Sequence, residues 1–501
     1  MKRRRMEFIF LFVLMLSVYI VLFGSFSSNL KLFSIGLYVL IILITMYSLM
    51  LEYRSSHHTL LWMYVLLFIP VFGYMFYLYS GQLYLKGYLF RTKRHRNREE
   101  WKKLVNQATS PDLSFLNDHQ RAFSTFASNA SQTAFSTNSN TYVLKNGKET
   151  FSEIIKKLKE AKQFIHIEYY IFRSDRLGKE IIHILMEKAK EGVEVLFIFD
   201  AAGSFSLAKS DIKDMISAGV KVQPFSPLKS GFFNQKFNFR NHRKIIVIDG
   251  EIGFVGGLNV GEEYLGRNKK IGFWRDTHLE VKGEAVYTLH TVFLMDWEYV
   301  SGEQVLNERA KMMQTHKPGD GAVQIVASGP DTQQGIMSDF YYSLISCATK
   351  SIWIATPYFV PDEAIRAAMK SAAQKGVQVR LMIPEINDGF LTQYASRSYF
   401  NELLECNVEI YLYKKGFLHQ KVIIVDHDMA TIGTANMDKR SFHLNFEVNV
   451  FLLGTQSINE LVEDYEGDIL ESEKVEIDTY RKRGFVVKSK EAFSRLFSDV
   501  L

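Results

Sequence analysis

The chain has 501 residues, of which 47% are hydrophobic and 14% aromatic, and it carries a formal net charge of +6. This composition excludes a wholly disordered protein, and the length allows several domains with sizeable cores. The two cysteines, Cys347 and Cys406, are too few for a disulfide scaffold and indicate a reducing compartment for the part that carries them. The sequence has no Cys/His spacing typical of a structural zinc site, so no metal is predicted.

The first 80 residues read as a membrane anchor. Residues 8–26 and 32–51 are uncharged apolar stretches, and each is long enough to cross a bilayer as a helix. A cleaved signal peptide is the alternative for the first stretch, but a second apolar stretch follows at once and no small-residue cleavage site is evident. A third stretch, Leu60–Tyr79, contains Pro70 and Gly73, so a third span, a re-entrant element and an interfacial helix all stay open.

Basic residues flank this anchor on both sides. Four of them occupy positions 2–5, and eight, against two acidic residues, lie between positions 86 and 103. The positive-inside rule places both clusters in the cytoplasm, which requires an even number of crossings and favours two spans, with Leu60–Tyr79 in or dipping into the cytoplasmic leaflet. The second cluster would then lie against anionic headgroups, and a solvated linker helix is the alternative. Residues 104–501 have a slight acidic excess, which is not typical of a nucleic-acid-binding surface.

Strand and helix patterns alternate from residue 143 onward, and the same order occurs twice. The first set is a strand at Phe164–Phe172, a helix at Gly178–Gly192 and a strand at Val193–Phe199; the second is Ser351–Phe359, Asp362–Gly376 and Val377–Ile383. Because this repeat is too long for a solenoid unit, it predicts two homologous α/β domains. The predicted boundaries are 1–55 for two transmembrane helices, 56–103 for the third apolar stretch and the basic juxtamembrane segment, 104–142 for a linker, 143–314 and 322–501 for the two repeats, and Thr315–Gly321 for their junction.

Each repeat carries the polar pattern His-x-Lys-x-x-x-x-Asp. The residues are His242, Lys244 and Asp249 in the first copy, and His419, Lys421 and Asp426 in the second. An asparagine follows each histidine by 17 residues, at Asn259 and Asn436. A single histidine on a strand is more often a core residue than a catalyst, but two copies in register within a repeat make chance a poor explanation.

The spacing within the motif indicates a phosphate site. The residues after each lysine are apolar and β-branched, which is typical of a strand, and residues two positions apart on a strand share a face. Asp249 has the opposite parity and ends its strand before Gly250, so it is better placed to organise the site than to contact substrate. Two facing copies would surround one phosphorus with two imidazoles, two cations and two carboxamides, which suits phosphoryl transfer without a metal.

The duplicated motif resembles the phospholipase D superfamily, and within it the chain is similar to the bacterial cardiolipin synthases. The resemblance extends to the N-terminal apolar stretches and to four further segments: FNFRNHRK at Phe237–Lys244, WRDTHLEVKG at Trp274–Gly283, TPYFVPD at Thr356–Asp362 and GTANMDKRSFHLNFEVN at Gly433–Asn449. It implies an α/β fold of two tandem phospholipase D-like α/β/α repeats, packed with pseudo-twofold symmetry and preceded by an N-terminal transmembrane helical hairpin.

The resemblance also implies a reaction in two transesterification steps. One histidine attacks a phosphatidylglycerol to form a phosphatidyl-histidine, and the other protonates the departing glycerol and then activates a second phosphatidylglycerol. By resemblance, His242 is the nucleophile and His419 the general acid and base. The residues expected to bind the phosphate oxygens are Lys244, Lys421, Asn259 and Asn436.

Two acidic residues are expected to orient the histidines across the repeats. By resemblance, Glu447 orients His242 and Asp276 orients His419, since an imidazole needs a partner on its other nitrogen to fix its tautomer. Pairing of Asp276 with a neighbouring cation, Arg275 or Lys282, is the alternative.

The expected partners are phosphatidylglycerol and anionic membrane lipid, with no cofactor and no nucleic acid, and the catalytic part is expected on the cytoplasmic side of the cell membrane in a multi-pass protein. A phospholipase D that hydrolyses phosphatidyl diesters to phosphatidic acid is the alternative, because it shares the covalent intermediate. A nuclease of the superfamily is opposed by the anchor and the acidic balance, and a scaffold without activity by the two intact motifs. The oligomeric state is left open. The apolar runs Gly231–Phe233 and Phe237–Phe239 are predicted either to face lipid at the rim of the site or to pack as a buried loop.

Overall fold

A computed structural model describes residues 2–51, 56–78, 89–107, 111–226, 236, 238–268, 272–306 and 318–498. The chain divides into two units, the first made of residues 1–89 and 230–238 and the second of residues 90–229 and 239–501. The runs Gly231–Phe233 and Phe237 lie outside the described residues, as do residues 315–317 of the predicted junction.

The first unit is built from four apolar helices, which are α1 (Lys2–Leu22), α2 (Ser28–Met50), α3 (Ser56–Phe68) and α4 (Pro70–Phe76). They pack on one another through buried side chains that include Leu14, Ile41, Leu49 and Leu66. By length and composition, α2 is the one helix among the described residues that can cross a membrane, while Phe8–Leu22 and Thr59–Phe68 are shorter apolar helices. An N-terminal apolar helix is therefore present, and the predicted hairpin of two crossings stays a prediction.

The third apolar stretch is not one continuous helix. Its helical path is interrupted at Ile69, whose φ of −134° and ψ of 63° are not helical, and α4 begins at Pro70. Proline has no amide hydrogen and disfavours helical geometry in the residue before it, so the break lies where the sequence predicts it. Whether Leu60–Tyr79 crosses, dips into or lies on a bilayer stays a prediction, and Tyr79 is outside the described residues.

Two helices precede the sheets of the second unit, α5 (Arg91–Gln107) and α6 (Asp118–Ala130). A capping box formed by Asn117 and Gln120 starts α6, and its inner face buries Phe123 and Ala127 in a core shared with the second sheet. The segment 104–142 is therefore not the predicted linker. Its richness in Ser, Thr and Asn obscured apolar residues at helical spacing.

Among the described residues, the first half of this unit is a seven-stranded sheet with four helices. The strands are β1 (Ser139–Lys145), β2 (Phe164–Tyr169), β3 (Glu194–Asp200), β4 (Lys221–Phe225), β5 (Ile245–Ile248), β6 (Ile252–Gly256) and β8 (Thr277–Gly283), and the short β7 (Phe273–Arg275) lies apart. The helices are α7 (Asn146–Glu160), α8 (Arg176–Lys190), α9 (Lys209–Ser217) and α10 (Ala285–Ser301). The order across the sheet is β1-β8-β6-β5-β2-β3-β4, with β2, β3 and β4 parallel and the other pairs antiparallel.

The second half is an eight-stranded sheet with its own helices. Its strands are β9 (Ala322–Ser328), β10 (Ser351–Ala355), β12 (Gln378–Pro384), β13 (Glu409–Tyr413), β15 (Val422–Val425), β16 (Met429–Gly433), β18 (Glu447–Leu453) and β19 (Ser472–Lys474). The short strands β11 (Phe359–Val360), β14 (Gly416–Leu418) and β17 (Met437–Asp438) pair outside the sheet. The helices are α11 (Ile336–Ser346), α12 (Glu363–Gln374), α13 (Phe390–Arg397), α14 (Phe400–Leu404), α15 (Lys439–His443), α16 (Gln456–Leu470), α17 (Ile477–Arg481) and α18 (Phe485–Arg495).

The two sheets have the same topology. The second has the order β19-β13-β12-β10-β15-β16-β18-β9, which matches the first strand for strand once β19 is set aside. In both, the three strands that alternate with helices are parallel and the remaining pairs are antiparallel. The internal repeat predicted from the sequence is therefore confirmed as two sheet-containing α/β halves.

Candidate active site

The two motifs meet in one pocket of about 970 Å³. His242 and Lys244 lie just before β5, and His419 and Lys421 lie just before β15. The four side chains are largely buried, since the strands that follow them form the centre of each sheet. Both histidines line the pocket wall, together with the two predicted phosphate-binding amides.

Backbone hydrogen bonds between the halves hold the two motifs together. The strand β14, which leads into the second motif, pairs in parallel with β7 of the first half. The amide of His419 continues this pairing by donating to the carbonyl of Arg275 at 2.7 Å. On the other side, the amide of His242 donates to the carbonyl of Phe446 at 2.9 Å. Each motif is therefore held by the half that does not contain it.

These bonds place a carboxylate from the opposite half beside each imidazole. His242 Nδ1 lies 2.8 Å from Glu447 Oε2, and His419 Nδ1 lies 2.7 Å from Asp276 Oδ2. This is the crossed arrangement that the sequence predicts. With the proton on Nδ1, Nε2 of each ring keeps its lone pair. Thr434 Oγ1 also donates to Glu447 Oε2, at 2.6 Å, which helps to fix the carboxylate.

The neighbouring cations have other partners. Arg275 donates to Asp468 and Asp464, each at 2.8 Å, and Lys282 pairs with Glu280 at 2.6 Å. Arg275 Nη1 donates to the backbone carbonyl of Asp276 at 3.0 Å, so the carboxylate of Asp276 stays with His419.

Burial dominates the electrostatics of the imidazoles. Burial lowers the pKa of His242 to about 4, although Glu447 opposes the shift. Burial and then Lys421 lower the pKa of His419 to about 3, with Asp276 opposing them. Both rings are therefore neutral at pH 7 in the free protein, which is the state that a nucleophilic imidazole requires.

The two lysines are destabilised as cations. Burial lowers the pKa of Lys244 to about 7 and that of Lys421 to about 8. Lys244 Nζ donates to the carbonyl of His242 at 2.7 Å, and Lys421 Nζ donates to that of His419 at 2.5 Å. A phosphate anion in the pocket would favour the charged form of both, so the site is suited to a negatively charged ligand.

The two asparagines lie in the same pocket but differ in their contacts. Asn259 accepts from the amide of Ile171 at 3.2 Å and donates to the hydroxyl of Tyr264 at 3.3 Å. The buried Oδ1 of Asn436 has no partner among the described residues. Phosphate binding by these amides stays a prediction.

The structure does not bring Asp249 and Asp426 into the pocket. Asp249 accepts from the backbone amides of residues 162–164, at 2.7–2.9 Å, and so clamps the start of β2. Asp426 does the same for residues 349–351 before β10. The sequence motif groups both aspartates with the catalytic histidines and lysines, and the structure corrects this by separating them from the pocket. The separation agrees with the strand parity that predicted an organising position for Asp249.

Sequence reasoning missed a buried network of charges behind the first motif. Arg243 donates from Nε to the carbonyl of Glu447 at 3.1 Å, and its guanidinium pairs with Asp296 on α10. Lys93 of α5 pairs with Asp296 at 2.8 Å and with Asp331 at 2.5 Å. The helix α5 is thereby connected through two ion pairs to the residue between His242 and Lys244.

This network corrects the interpretation of the basic cluster at 86–103. Lys93 is only 4% exposed, so it faces neither headgroups nor solvent. Arg94 donates to the carbonyl of Pro330 at 2.5 Å, and Arg96 pairs with Glu298 at 3.1 Å. The sequence of this basic cluster does not show which of its residues have buried partners far along the chain. Two later members of the run, Lys102 and Lys103, are exposed and fit either earlier interpretation.

Known proteins of similar sequence match this chain over most or all of its length. A family model described as cardiolipin synthase, PLD-like domain, matches residues 154–297 and 341–469. The chain is 55% identical to the probable cardiolipin synthase YwiE of Bacillus subtilis, over the full length of both, and 45% identical to the cardiolipin synthase of Halalkalibacterium halodurans, over 98% of this chain and 99% of the relative. The crystal structure of phosphatidylserine synthase from Haemophilus influenzae has a similar fold, with a TM-score of 0.57 at 14% identity, over 77% of this chain and 100% of that chain.

We expect Asp249→Ala to lower stability without changing the pocket. The substitution leaves three backbone amides without their acceptor, which costs about 1–3 kcal/mol. Thermal unfolding of the purified protein in detergent measures the loss, and Glu251→Ala, at an exposed neighbour, is the control. A drop in turnover per folded molecule at unchanged melting temperature would contradict this role.

We expect Lys93→Met to destabilise the catalytic unit by about 3–5 kcal/mol. The substitution removes the ion pairs of Lys93 with Asp296 and Asp331 and leaves these buried carboxylates without that cation. Lys102→Met, which removes an exposed pair with Glu99, should change stability by less than about 1 kcal/mol. Denaturant unfolding of both variants provides the measurement. Equal effects would mean that the network adds nothing beyond a surface ion pair.

Proposed function

The chain belongs to the family of cardiolipin synthases with phospholipase D-like domains, and we propose that it transfers a phosphatidyl group from one phosphatidylglycerol to another. The products are cardiolipin and glycerol. The observation that carries the proposal is the single pocket in which two neutral imidazoles meet, each paired with a carboxylate from the other half. Because one phosphodiester is exchanged for another, the reaction needs no nucleotide to drive it.

In the first step, Nε2 of His242 attacks the phosphorus of the donor lipid. A P–N bond forms as the bond from phosphorus to the glycerol oxygen breaks, and Glu447 stabilises the resulting imidazolium. His419 supplies the proton to the departing glycerol. The pKa of His419 is low in the free protein, so its ring is neutral before the substrate binds. The bound phosphodiester anion favours the imidazolium, and His419 therefore takes up its proton when the substrate binds.

In the second step, His419 removes the proton from the terminal hydroxyl of a second phosphatidylglycerol. The new alkoxide attacks phosphorus, the P–N bond breaks, and its electron pair returns to Nε2 of His242. Lys244 and Lys421, with Asn259 and Asn436, balance the charge on the equatorial oxygens in both steps. Water in place of the second lipid would give phosphatidic acid instead.

The proposal includes a place at the membrane. Among the described residues, α2 supplies an apolar helix of sufficient length, and α1 supplies a second crossing. Two crossings keep the basic runs at 2–5 and 86–103 on the same side, and the positive-inside rule makes that side the cytoplasm. The substrates are phosphatidylglycerol and other anionic lipid, and nucleic acid is not a substrate.

The direct test supplies phosphatidylglycerol labelled in its phosphate to the purified protein in mixed micelles. We expect the label to enter cardiolipin, with one glycerol released per cardiolipin formed, and His242→Ala and His419→Ala to abolish the product. Glu180→Ala, at an exposed position on α8, is the control. Label mainly in phosphatidic acid would favour the hydrolase, and label in neither product would remove both activities.

We expect the covalent intermediate on His242. Rapid denaturation in alkaline detergent during turnover preserves a phosphorus–nitrogen bond, and peptide mapping then locates the label. Label on the peptide that contains His242 supports the order given above. Label on His419 alone would reverse the roles of the two histidines.

We expect the fall of kcat/KM with rising pH to steepen through about 7 to 8, beyond the shallower fall caused by the proton that His419 must take up. A lysine is charged below its pKa, and the values of about 7 for Lys244 and about 8 for Lys421 mean that the free protein loses phosphate-binding charge in this window. On the acid side, kcat/KM should fall as the pH drops through about 4, where His242 becomes protonated. Lys244→Arg should move the alkaline fall upward, because arginine stays charged. An alkaline limb that neither Lys244→Arg nor Lys421→Arg moves would contradict the assignment.

A further inference from the structure

The last helix of the described chain, α18 (Phe485–Arg495), carries its apolar side chains outward. Phe485 is 83% exposed and Phe493 is 54% exposed, while Val486 and, just after the helix, Leu496 are 64% and 68% exposed. The side chains that face the protein include Glu491 and Ser494, which are buried. This is the reverse of the usual surface helix, whose apolar stripe faces the core.

Polar contacts hold the helix in this orientation. Glu491 accepts from the hydroxyl of Tyr480 at 2.9 Å and from Nε of Arg483 at 2.8 Å. The Nζ of Lys490 lies 5.3 Å from the ring centre of Tyr394 on α13. Turning the apolar stripe inward would break the two hydrogen bonds of the buried Glu491 carboxylate.

Further exposed apolar side chains lie on the neighbouring helix and at the active-site pocket. The helix α18 packs against α13, whose first residue, Phe390, is 53% exposed. Ile386, in the loop before α13, is 71% exposed and lines the pocket with the two histidines. We call this set the C-terminal surface; its members are Ile386, Phe390, Phe485, Val486, Phe493 and Leu496.

Basic side chains predominate along the α18 part of the C-terminal surface, whereas the exposed Asp388 lies between Ile386 and Phe390. Residues 481–498 contain six basic side chains and one acidic one, and the acidic one is the inward-facing Glu491. Lys482 and Lys488 are exposed beside the apolar stripe. An exposed apolar stripe with basic flanks is typical of a helix that lies in the interface of an anionic bilayer.

We propose that the C-terminal surface docks the catalytic unit on an anionic lipid bilayer. The apolar side chains enter the boundary between headgroups and acyl chains, and Lys482 and Lys488 contact lipid phosphates. Since Ile386 belongs to both the surface and the pocket, a lipid can pass its headgroup to the histidines while its acyl chains stay out of water. The inference rests on the proposed function for its substrate and adds the surface through which that substrate arrives.

The first test measures contact with the bilayer directly. In the full chain, Cys347 and Cys406 are replaced by serine, and a new cysteine at Val486 or Phe493 carries a bimane label. The protein is reconstituted into vesicles of phosphatidylglycerol and phosphatidylcholine that carry bromine near the headgroup end of the acyl chains. We expect bromine to quench these labels at least about threefold more than a label at Glu180→Cys on α8.

The outcome separates the possible occupants. Quenching equal to that of the control overturns the proposal. A label that is shielded from water but insensitive to bromine would indicate a protein on this surface, such as a second copy of the chain, and would overturn it as well.

The second test removes the apolar stripe with Phe485→Ser, Phe493→Ser and Leu496→Ser together. These side chains are exposed, so the fold should not depend on them, and Lys179→Ser, Glu180→Ser and His183→Ser on α8 form a matched triple. We expect the rate on long-chain phosphatidylglycerol in vesicles to fall about fivefold or more, and the rate on a short-chain phosphatidylglycerol dissolved as monomers to stay unchanged.

An unchanged rate in vesicles, or an equal loss on both substrates, would overturn the docking role. If the unmodified chain releases phosphatidic acid rather than cardiolipin, the proposed function fails, but the quenching experiment still decides whether the surface contacts the bilayer.

Discussion

Two backbone hydrogen bonds between the halves determine the rest of the site. They join the amide of His242 to Phe446 and the amide of His419 to Arg275, and in both cases the next residue along the accepting strand is the carboxylate that meets the histidine. Each half therefore supplies an imidazole to one side of the pocket and an acid to the other. Neither half contains a complete site, so the proposed chemistry requires both repeats.

Burial then sets the reactivity of the groups that this arrangement brings together. Desolvation makes the imidazoles neutral and weakens the lysine cations, so the free pocket holds less positive charge than its sequence implies. Glu447 and Asp276 stay ionised, because the pKa increase that burial would cause is outweighed by Lys244, Lys421 and the paired histidines. A bound phosphodiester anion favours the charged forms of these lysines and histidines, so ligand binding is coupled to proton uptake.

The site is also supported from behind. Arg243 lies between the first histidine and lysine of the motif, and its partner Asp296 is shared with Lys93 of α5. Glu168 lies at the edge of this network, and burial with the nearby charge of Asp296 raises its pKa well above the usual range. The buried carboxylates of Asp296 and Asp331 are stable only with their cations in place, so α5 is part of the catalytic unit and not a linker helix in front of it.

The amino-acid sequence by itself determined the repeat, the two motifs and the apolar N-terminus, because each of these is a local pattern of residue type and spacing. The hairpin between β5 and β6 and the break in the third stretch also follow from local rules, at Gly250 and Pro70. The crossed pairs of Glu447 with His242 and of Asp276 with His419, separated by 205 and 143 residues, were expected from the family resemblance and not from any local pattern. Only the tertiary structure decided that Lys93 meets Asp331, 238 residues further along the chain. It also decided the direction of helices. The spacing of Phe123 and Ala127 on α6 and of Phe485 and Phe493 on α18 is amphipathic in both cases, yet one stripe faces the core and the other faces outward. A periodic pattern defines a stripe, whereas the packing of the whole chain determines what covers it.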